Sequence, residues 1–314
     1  MTDVPVFTGA HVEQAVPPAA AVEAVRAAFV AHARGEWQMP PKVYVTNYPA
    51  GDFRAMPALG GGHALLKWVT SFPGNPARGL PTVSGVVLLS DAETGELVAV
   101  LDAAAVTALR TGAAAVLAAE TLGRAAAATA AVVGTGVNGR AAARTFVALG
   151  RDVALWDVDA QRARRVAEEL GCAVAPSRED ALAADLLVTV TPGHEVLLAR
   201  GSLRPGQHVS LMGADGPGKA EIAADELARI RLFCDDWEQA SHGGELAQVV
   251  ERGLVGEADV TRLGEVLAGT AAGRGSDDEI TAFDSTGLAI QDLAIARAAL
   301  AAQETLTDLP RLAL

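Results

Sequence analysis

Three glycines spaced for binding a phosphate group lie in the middle of the chain. Gly134, Gly136 and Gly139 form a Gly-x-Gly-x-x-Gly pattern between the apolar run TAAVV and a helix-like segment. In dinucleotide-binding proteins the first glycine permits a tight turn, the second admits a pyrophosphate, and the third lets the helix pack on the strand. The next predicted strand, DVALWD, ends at Asp157, where a carboxylate can accept hydrogen bonds from a ribose. The pattern therefore predicts a dinucleotide site.

The residues around Asp157 bear on which dinucleotide would bind. A carboxylate at this position favours NAD over NADP, because the 2′-phosphate of NADP would meet a like charge. Arg162 and Arg164 follow shortly afterwards and would weaken that preference. The alternative interpretation is a tight turn in a fold without a cofactor, since the protein contains 32 glycines. The combination of glycine spacing, flanking elements and Asp157 favours a cofactor, and we predict NAD.

Basic residues in apolar or glycine-rich surroundings form a second candidate site. They are Lys42 in QMPPKVYV, Arg54 in GDFRAMPAL, Lys67 in ALLKWVTSF and Arg110 in VTALRTGAA. Lysine and arginine are seldom buried without an anionic partner. That partner is either an internal carboxylate or a bound anion. The close spacing of the first three cations favours a substrate carboxylate or a cofactor phosphate.

One carboxylate is placed for acid–base chemistry. Asp215 follows the predicted strand HVSLMG, and α/β proteins bind ligands at the carboxyl ends of parallel strands. The neighbouring glycines would let the backbone approach a ligand, and Lys219 would hold or tune the carboxylate. A turn-forming aspartate is the alternative. We predict that Asp215 is an acid–base group.

The sequence disfavours several other classes of function. The six histidines show no HExxH pattern and no pairing with cysteine, so we predict no metal site. The sequence also lacks the GxSxG motif of many serine hydrolases. The 25 basic and 38 acidic residues give a net charge of −13, which would repel nucleic acid. A small molecule is therefore the expected partner.

The cysteine content and the apolar segments predict a cytoplasmic protein. Cys172 and Cys234 form no CxxC pattern and no disulfide framework, which is typical of a reducing compartment. The first residues show neither the basic segment nor the apolar stretch of an export signal. The most apolar stretch, residues 112–134, is interrupted by Glu120 and Arg124. We predict a buried helix followed by a strand there, and no membrane span.

The elements that must position these residues follow from hydrophobic periodicity. Apolar residues at helical spacing predict a helix in residues 16–35, and an alanine-rich composition predicts another in residues 103–122. Strand-like runs lie between them, at KVYVTNY, LLKWVTSF and TVSGVVLLS. A last amphipathic helix, LAIQDLAIARAALAAQE, is predicted to be capped by Asp284 or Ser285.

From Thr129 onward the sequence alternates strands with helices. The predicted strands are TAAVVG, DVALWD, CAVAP, DLLVTVT, HVSLMG and RLFCDD, and the predicted helices include residues 137–149 and AQRARRVAEEL. Such alternation predicts right-handed βαβ units and a parallel sheet. The fold class is therefore α/β, with a doubly wound parallel (Rossmann) sheet plus a second α+β domain. Residues 116–287 would form the dinucleotide-binding domain, and residues 1–115 with a helix at about 288–314 would form the second domain.

Long and unusual strings are distributed along nearly the whole chain. They are QMPPKVY, GDFRAMPA, LKWVTSFPGNP, GLPTV, LRTGAA, the glycine loop, GADGPGK, DDWEQASHGGE and FDSTGLAIQD. With these strings the chain resembles the ornithine cyclodeaminase/mu-crystallin family, and within it the archaeal-type alanine dehydrogenases. The resemblance implies an NAD-dependent oxidoreductase that interconverts L-alanine with pyruvate and ammonium. It also implies a homodimer whose first, substrate-binding domains pair, with the active site in the cleft between the two domains.

The resemblance further implies residue roles. Lys42, Arg54 and Lys67 correspond to positions that hold the substrate carboxylate, and Thr286 to a position beside the substrate. Asp215 corresponds to the catalytic aspartate, with Lys67 as a co-participant. The positions implied on the cofactor side are Thr82, Arg110, Thr111, Gly134, Gly136, Val137, Asn138, Gly139, Asp157, Thr191, Met212, Gly213, Lys219 and Ser285.

Members of this family catalyse different reactions, and position 54 discriminates among them. Cyclodeaminases that act on ornithine resemble this chain but carry a glutamate there, which can bind the distal ammonium. Arg54 would instead repel that ammonium, by roughly 1–4 kcal/mol at 4 Å. The sequence therefore favours alanine and pyruvate. The alternatives are an ornithine or lysine cyclodeaminase, an imino-acid (ketimine) reductase, and a non-catalytic NAD(P)H-binding protein of the crystallin type.

Overall fold

A computed structural model of the chain describes residues 3–193, 195–214, 216 and 218–314. The chain divides into two compact units. The first unit contains the chain up to Arg110 together with Leu288–Leu314, and the second unit contains Thr111–Gly287. The sequence-based boundaries lie after residues 115 and 287. The assignment of one unit to substrate and dimerisation and of the other to a dinucleotide stays a prediction.

The strands and helices are numbered in chain order. The strands are β1 (Asp3–Phe7), β2 (Val43–Asn47), β3 (Gly51–Gly60), β4 (His63–Ser71), β5 (Val83–Asp91), β6 (Leu97–Asp102), β7 (Ala130–Val133), β8 (Val153–Trp156), β9 (Ala173–Val174), β10 (Leu186–Thr189), β11 (His208–Leu211), β12 (Arg231–Cys234), β13 (Val260–Arg262), β14 (Thr281–Asp284) and β15 (Arg311–Ala313). The helices are α1 (Gly9–Ala15), α2 (Pro18–Ala33), α3 (Ala103–Leu122), α4 (Val137–Ala148), α5 (Ala160–Leu170), α6 (Arg178–Leu182), α7 (Ala224–Leu227), α8 (Trp237–Gly243), α9 (Ala247–Glu251), α10 (Leu263–Leu267) and α11 (Ala289–Ala301). Short 3-10 helices lie at Asn75–Arg78, Glu257–Asp259 and Gln303–Thr305.

The first unit is built on a mixed sheet. Its strands lie in the order β15–β1–β6–β5–β4–β3–β2, with β1 and β6 parallel and the other neighbours antiparallel. Tyr44 lies opposite Arg54, and Met56 lies opposite Lys67. Because side chains alternate between the two faces along a strand, these four side chains share one face of the sheet. Helix α11 packs against α2 and against β3 and β4.

The second unit is built on a parallel sheet. Its strands lie in the order β13–β12–β14–β11–β10–β7–β8–β9. From β7 the chain first adds β8 and β9 on one side and then β10 and β11 on the other, which is the 3-2-1-4-5 order of doubly wound sheets. This confirms the predicted fold class. In such sheets ligands bind outside the carboxyl ends of the strands where the order reverses, here at β7 and β10.

Local sequence features explain the elements beside the point where the strand order reverses. Every residue of β7 is buried, as expected for a central parallel strand with helices on both faces. Helix α5 begins at Asp159, whose side chain accepts hydrogen bonds from the backbone of Gln161 and Arg162. It ends at Gly171, whose φ of 67° is the left-handed conformation that glycine adopts readily. These caps fix the path of the chain just beyond β8.

Most elements predicted from periodicity are confirmed. The runs KVYVTNY, LLKWVTSF and TVSGVVLLS form β2, β4 and β5. The predicted helix in residues 103–122 coincides with α3, and the six predicted strands after Thr129 are β7 to β12. Strand β14 lies in the middle of the second sheet and was not predicted, because TAFD is short and lacks a distinctive pattern.

Two predictions about the last long helix are wrong. Neither Asp284 nor Ser285 caps α11. Asp284 ends β14, and the Ser285 hydroxyl donates to Asp235. The helix begins after Leu288, whose N–H donates to the side chain of Gln291 (3.3 Å). The helix is also not amphipathic, since residues 289–296 are buried without interruption. The alanine-rich sequence lets neighbouring elements approach α11 from all sides.

Helix α3 is long and apolar enough to cross a membrane, judged by length and composition. In the structure, 72% of its most apolar window is buried inside the protein. It is followed by β7, as the sequence predicts. This burial is typical of the core helix of a folded domain.

Candidate functional site

The glycine loop lies between β7 and α4 in the second unit. Gly134 has a φ of 95°, and a Cβ atom there would come within 2.7 Å of the Val190 carbonyl oxygen. A Cβ atom at Gly139 would lie 1.7 Å from the Gly134 carbonyl oxygen, so only glycine lets α4 pack this closely. A Cβ atom at Gly136 would meet no described atom within 4 Å. The turn, the close packing and the open position are the three features that a bound pyrophosphate requires.

A buried glutamate joins the loops that follow β10 and β11. One Glu221 carboxylate oxygen accepts hydrogen bonds from the Thr191 N–H and hydroxyl, both at 2.7 Å. The other accepts from the Thr189 hydroxyl (2.8 Å) and the Gly213 N–H (2.9 Å). Burial raises the pKa of Glu221 above its ordinary value, and these donors oppose the rise. The network places Thr191 and Gly213 at the edge of the sheet where the glycine loop lies.

Asp157, at the end of β8, is held by an extensive set of donors. One oxygen accepts from the Thr135 N–H (2.6 Å), the Thr135 hydroxyl (2.9 Å) and the Arg162 Nε (3.1 Å). The other accepts from the Asp159 N–H (2.8 Å) and the Arg162 Nη2 (2.6 Å). Burial acts to raise the pKa of Asp157, but the bonds from Arg162, Thr135 and Asp159 hold it below its usual value. Asp157 is therefore a carboxylate fixed beside the glycine loop.

The segment after β14 is organised around another buried carboxylate. Asp235 accepts hydrogen bonds from the Ser285 hydroxyl (3.0 Å) and from the backbone N–H groups of Thr286 and Gly287 (both 2.8 Å). The Thr286 hydroxyl also donates to it (3.2 Å). Both predicted site residues of this segment thus have their side-chain hydroxyls turned towards Asp235. Their predicted contacts with substrate and cofactor stay predictions.

Two more carboxyl groups are buried in the same unit. Glu245 accepts the Glu221 N–H (2.6 Å), and Asp284 accepts the Leu246 N–H (2.9 Å). Burial, reinforced by neighbouring carboxylates, raises the pKa of Glu245 to about 9 and the pKa of Asp284 to about 8. Both groups are therefore mainly protonated at neutral pH.

In the first unit, Lys67 and Arg110 meet at one carboxylate. The Lys67 ammonium lies 2.7 Å from Oδ2 of Asp292, and the Arg110 Nε lies 3.4 Å from Oδ1. Lys67 also donates to the Thr107 hydroxyl (3.3 Å), and Arg110 donates to the Gln291 side chain (3.3 Å). Asp292 lies on α11 and is completely buried. The internal carboxylate that the sequence left open as a partner is therefore present for these two cations.

Burial makes Lys67 a group that can exchange a proton near neutrality. Its side chain is 1% exposed, and burial lowers its pKa to about 8. The positive charges of Arg110 and Lys42 contribute to this lowering, and Asp292 opposes it. A lysine with this pKa can act both as a cation that binds a carboxylate and as an acid or base.

Arg54 is held in a fixed orientation on the same face of the sheet. Its Nε lies 2.6 Å from Oδ1 of Asp52, and its Nη2 lies 3.3 Å from Oδ2. Its guanidinium carbon lies 5.4 Å from the centre of the Tyr44 ring. Two partners that restrain a planar guanidinium leave little rotamer entropy to lose when it binds a carboxylate. Lys42 is half-buried and close enough to influence the charge of Lys67.

The remaining predicted residues are placed as follows. Asp215 lies outside the described residues, so its acid–base role stays a prediction. Val137 and Asn138 begin α4, and Thr82 precedes β5, with its carbonyl accepting the Phe72 N–H. The others are the buried Met212, the half-buried Lys219, and Thr111, whose buried hydroxyl finds no hydrogen-bond partner among the described residues. Arg110, predicted on the cofactor side, has its side-chain bonds within the first unit.

Three further residues, Asp292, Glu221 and Asp235, were not predicted from the sequence as site residues. Each is an acidic residue with almost no exposure that holds predicted site residues in place. One signal was present in the sequence, since Gln291 and Asp292 interrupt the otherwise apolar run LAIQDLAIA. A buried charge in such a run requires a partner of opposite charge.

The open space at Gly136 gives a test of the dinucleotide site. Its φ of −65° and ψ of −169° suit any residue, so Gly136→Val should fold with an unchanged melting temperature. The new side chain would fill the space that a pyrophosphate needs, so we expect NADH affinity to fall by about tenfold or more in a fluorescence titration. Gly74→Val, also at an open position with a negative φ, is the control. Unchanged NADH affinity in Gly136→Val would contradict the assignment.

Known proteins resemble this chain in both sequence and structure. The family model described as the ornithine cyclodeaminase/mu-crystallin family matches residues 4–303. Alanine dehydrogenase from Archaeoglobus fulgidus is 43% identical over 303 residues, covering 93% of this chain and 92% of that protein. An archaeal alanine dehydrogenase dimer with bound NAD superposes with a TM-score of 0.94 at 39% identity, covering 100% of both chains. The NAD⁺ complex of the iminosuccinate reductase of Paracoccus denitrificans gives 0.91 at 28% identity, again covering 100% of both chains. The chain therefore belongs to the ornithine cyclodeaminase/mu-crystallin family.

Proposed function

We propose that this protein is an NAD-dependent alanine dehydrogenase. It would convert L-alanine, NAD⁺ and water reversibly into pyruvate, ammonium, NADH and a proton. The observation that carries the proposal is the 43% identity, over 93% of the chain, to an alanine dehydrogenase. The match to an alanine dehydrogenase with bound NAD supports it, as do the cationic side chains of Lys67 and Arg54 in the first unit.

The second unit would hold the cofactor. NAD supplies a hydride acceptor and, once reduced, a hydride donor. The glycine loop would receive the pyrophosphate at the N-terminus of α4, and Asp157 lies where the adenosine ribose is bound in this fold. Glu221 would keep the Thr191 and Gly213 loops in one arrangement, and Asp235 would do the same for the Ser285–Thr286 segment.

The first unit would hold the substrate. Arg54, Lys42 and Lys67 would bind the carboxylate of alanine or pyruvate, so that its second carbon is oriented for hydride transfer. Asp215 would move protons to and from the amine and the attacking water, with Lys67 as a second acid–base group. The lowered pKa of Lys67, about 8, suits that second task.

Arg54 supports a small substrate over a diamino acid. Its guanidinium is already oriented by Asp52 and Tyr44, and because it only donates hydrogen bonds it offers no acceptor to a second ammonium group on the substrate. A substrate whose one strong charge is its carboxylate needs no such acceptor. Alanine and pyruvate are substrates of this kind.

The experiment that tests the proposal is NADH oxidation by the purified protein with pyruvate, with and without ammonium. Larger 2-keto acids are assayed beside it. Oxidation that requires ammonium and is fastest with pyruvate is the expected result. NADH binding without oxidation of any keto acid would overturn the proposal. Ornithine or lysine would then be assayed for ammonia release without net NADH change, and cyclic imines for reduction.

We also propose that two copies pair through the exposed face of the first sheet. Val43 and Trp68 both flank Ala55 across neighbouring strands, so they lie on the face opposite Arg54 and Lys67. Their exposed fractions are 58% and 39%, and Leu66 on the same face is also 39% exposed. A continuous apolar patch of this kind marks an interaction surface. The matching archaeal alanine dehydrogenase is a dimer.

Charging this face should separate the copies. We expect the double variant Leu66→Arg/Trp68→Arg to be a monomer in light scattering, because two buried arginines from each copy would face an apolar surface. Leu254→Arg/Val196→Arg, which charges exposed apolar residues of the second unit, is the control and should leave the dimer intact. A dimer that persists in the first variant would place the interface elsewhere.

We also propose that the protein is cytoplasmic. Cys172 and Cys234 are free thiols, and Cys234 is buried. Burial raises the pKa of both thiols, which makes them poor nucleophiles and suits a reducing compartment. Alanine, pyruvate and NAD are small-molecule partners that this location would supply.

A further inference from the structure

Arg162 occupies the carboxylate that the proposed NAD site needs. In the part of the chain that the structure describes, five hydrogen bonds reach Asp157, and Arg162 donates two of them, from Nε (3.1 Å) and Nη2 (2.6 Å). A carboxylate has about four lone-pair positions. Thr135 and Asp159 donate the other three hydrogen bonds, which would leave one position open without Arg162. A ribose hydroxyl can therefore be accepted by Asp157 once Arg162 moves away.

Arg162 also cancels the charge of Asp157. A bare carboxylate would repel a 2′-phosphate, but the ion pair of Arg162 and Asp157 has no net charge. The Arg162 side chain remains 42% exposed while it is paired, so it is accessible to a ligand. Arginine forms charge-assisted hydrogen bonds with phosphate oxygens in the same geometry as with carboxylate.

The backbone of Arg162 is held in place, whereas its side chain is partly exposed. Its backbone is fixed in the first turn of α5 by the Asp159 cap, so movement is confined to the side chain. Asp159 is the other carboxylate that influences its charge. Val158, between Asp157 and the cap, is exposed and presents no charge to the ribose. Arg164, the other arginine that follows Asp157 closely in the sequence, is exposed on α5.

We propose that Arg162 sets the choice between NAD and NADP by competing with the adenosine ribose for Asp157. Paired with Asp157, it would bind a 2′-phosphate. Displaced from Asp157, it frees the carboxylate for a 2′-hydroxyl. The protein would therefore bind both dinucleotides. This inference rests on the proposed dinucleotide site, but it does not depend on alanine being the substrate.

The test is the affinity for NADH and NADPH, measured by nicotinamide fluorescence on the purified protein without substrate. The variants are Arg162→Gln and, as a control with the same loss of charge on the same helix, Arg164→Gln. The wild-type protein should bind both dinucleotides. In Arg162→Gln we expect NADPH affinity to fall by about 10- to 100-fold, with NADH affinity unchanged or higher. Arg164→Gln should change neither affinity by more than about twofold.

The outcomes separate this inference from the proposed function. A NADPH to NADH affinity ratio that is the same in wild type and Arg162→Gln would overturn the inference, as would an equal fall for both dinucleotides. An equal change of the ratio in Arg164→Gln would overturn it too, because a long-range effect of charge would then explain the result. Normal dinucleotide binding without ammonium-dependent turnover would overturn alanine dehydrogenase activity alone. Binding of neither dinucleotide would overturn both proposals.

Discussion

Arg54→Glu is expected to lower kcat/KM for pyruvate by about 10²- to 10⁴-fold while leaving NADH affinity within about twofold. The variant would lose the proposed charge-assisted pair with the substrate carboxylate, which would be worth about 1.5–3 kcal/mol. It also brings a negative charge towards that carboxylate, at a further cost of about 1–4 kcal/mol. NADH would be held by the glycine loop and Asp157 of the second unit, whereas Arg54 lies in the first unit. Steady-state kinetics and a fluorescence titration measure the two quantities.

Two further variants keep this test interpretable. The introduced carboxylate would also face Asp52, so Arg54→Met, which adds no charge, controls for repulsion within the protein. We expect it to lose about 10- to 100-fold in kcat/KM. Arg78→Glu makes the same charge change at an exposed position of the first unit and should behave as wild type. An equal loss of pyruvate turnover and NADH affinity in Arg54→Glu would indicate a folding defect, and an unchanged kcat/KM for pyruvate in Arg54→Met would contradict the substrate role.

Asp292→Asn is expected to have the second large effect, on both stability and pH dependence. It leaves Lys67 and Arg110 buried without their carboxylate, and breaking a buried ion pair typically costs about 3–5 kcal/mol of unfolding free energy. Asp292 also opposes the lowering of the Lys67 pKa, which is about 8. Without Asp292 that pKa falls further. If Lys67 binds the substrate as a cation, the alkaline limb of kcat/KM lies near pH 8 in the wild type and moves to lower pH in the variant.

The controls for Asp292 distinguish a positioning role from simple loss of stability. Glu304→Gln removes an exposed carboxylate from the first unit and should leave both the denaturation midpoint and the pH profile unchanged. Lys67→Met/Asp292→Asn removes one of the stranded cations and should recover part of the lost stability without recovering activity. A pH profile of Asp292→Asn identical to that of the wild type would show that Asp292 does not set the charge of Lys67.

Local patterns in the sequence were sufficient to predict most of the fold. The strand runs at residues 43–47 and 63–71 and the glycine loop each carry their signal within a few neighbouring residues. The alternation after Thr129 predicted a parallel sheet, because βαβ units have few ways to pack. The glycine spacing predicted the turn at Gly134 and the close packing at Gly139 for the same local reason.

The parts that could not be predicted depend on distant pairings. Asp292 becomes a partner of Lys67 only when α11 folds onto β4, and Glu221 joins loops that follow two different strands. No local pattern encodes such contacts. The capping prediction at Asp284 failed for the same reason, since a capping residue and a buried strand-end carboxylate look alike in sequence. The pairing of Arg162 with Asp157, only five positions away, needed the helix start at Asp159 to be known.

The order of the elements along the chain makes the first unit the last one to be completed during synthesis. Arg110 and Gln291 are hydrogen-bonded across 181 positions, and the whole second unit lies between them. As the chain leaves the ribosome, the second unit is complete before α11 has been made, and domains tend to fold as units in that order. Until α11 arrives, Lys67 and Arg110 lack the carboxylate that lets them be buried. A chain released before α11 has been made would therefore contain the whole second unit but an incomplete first unit.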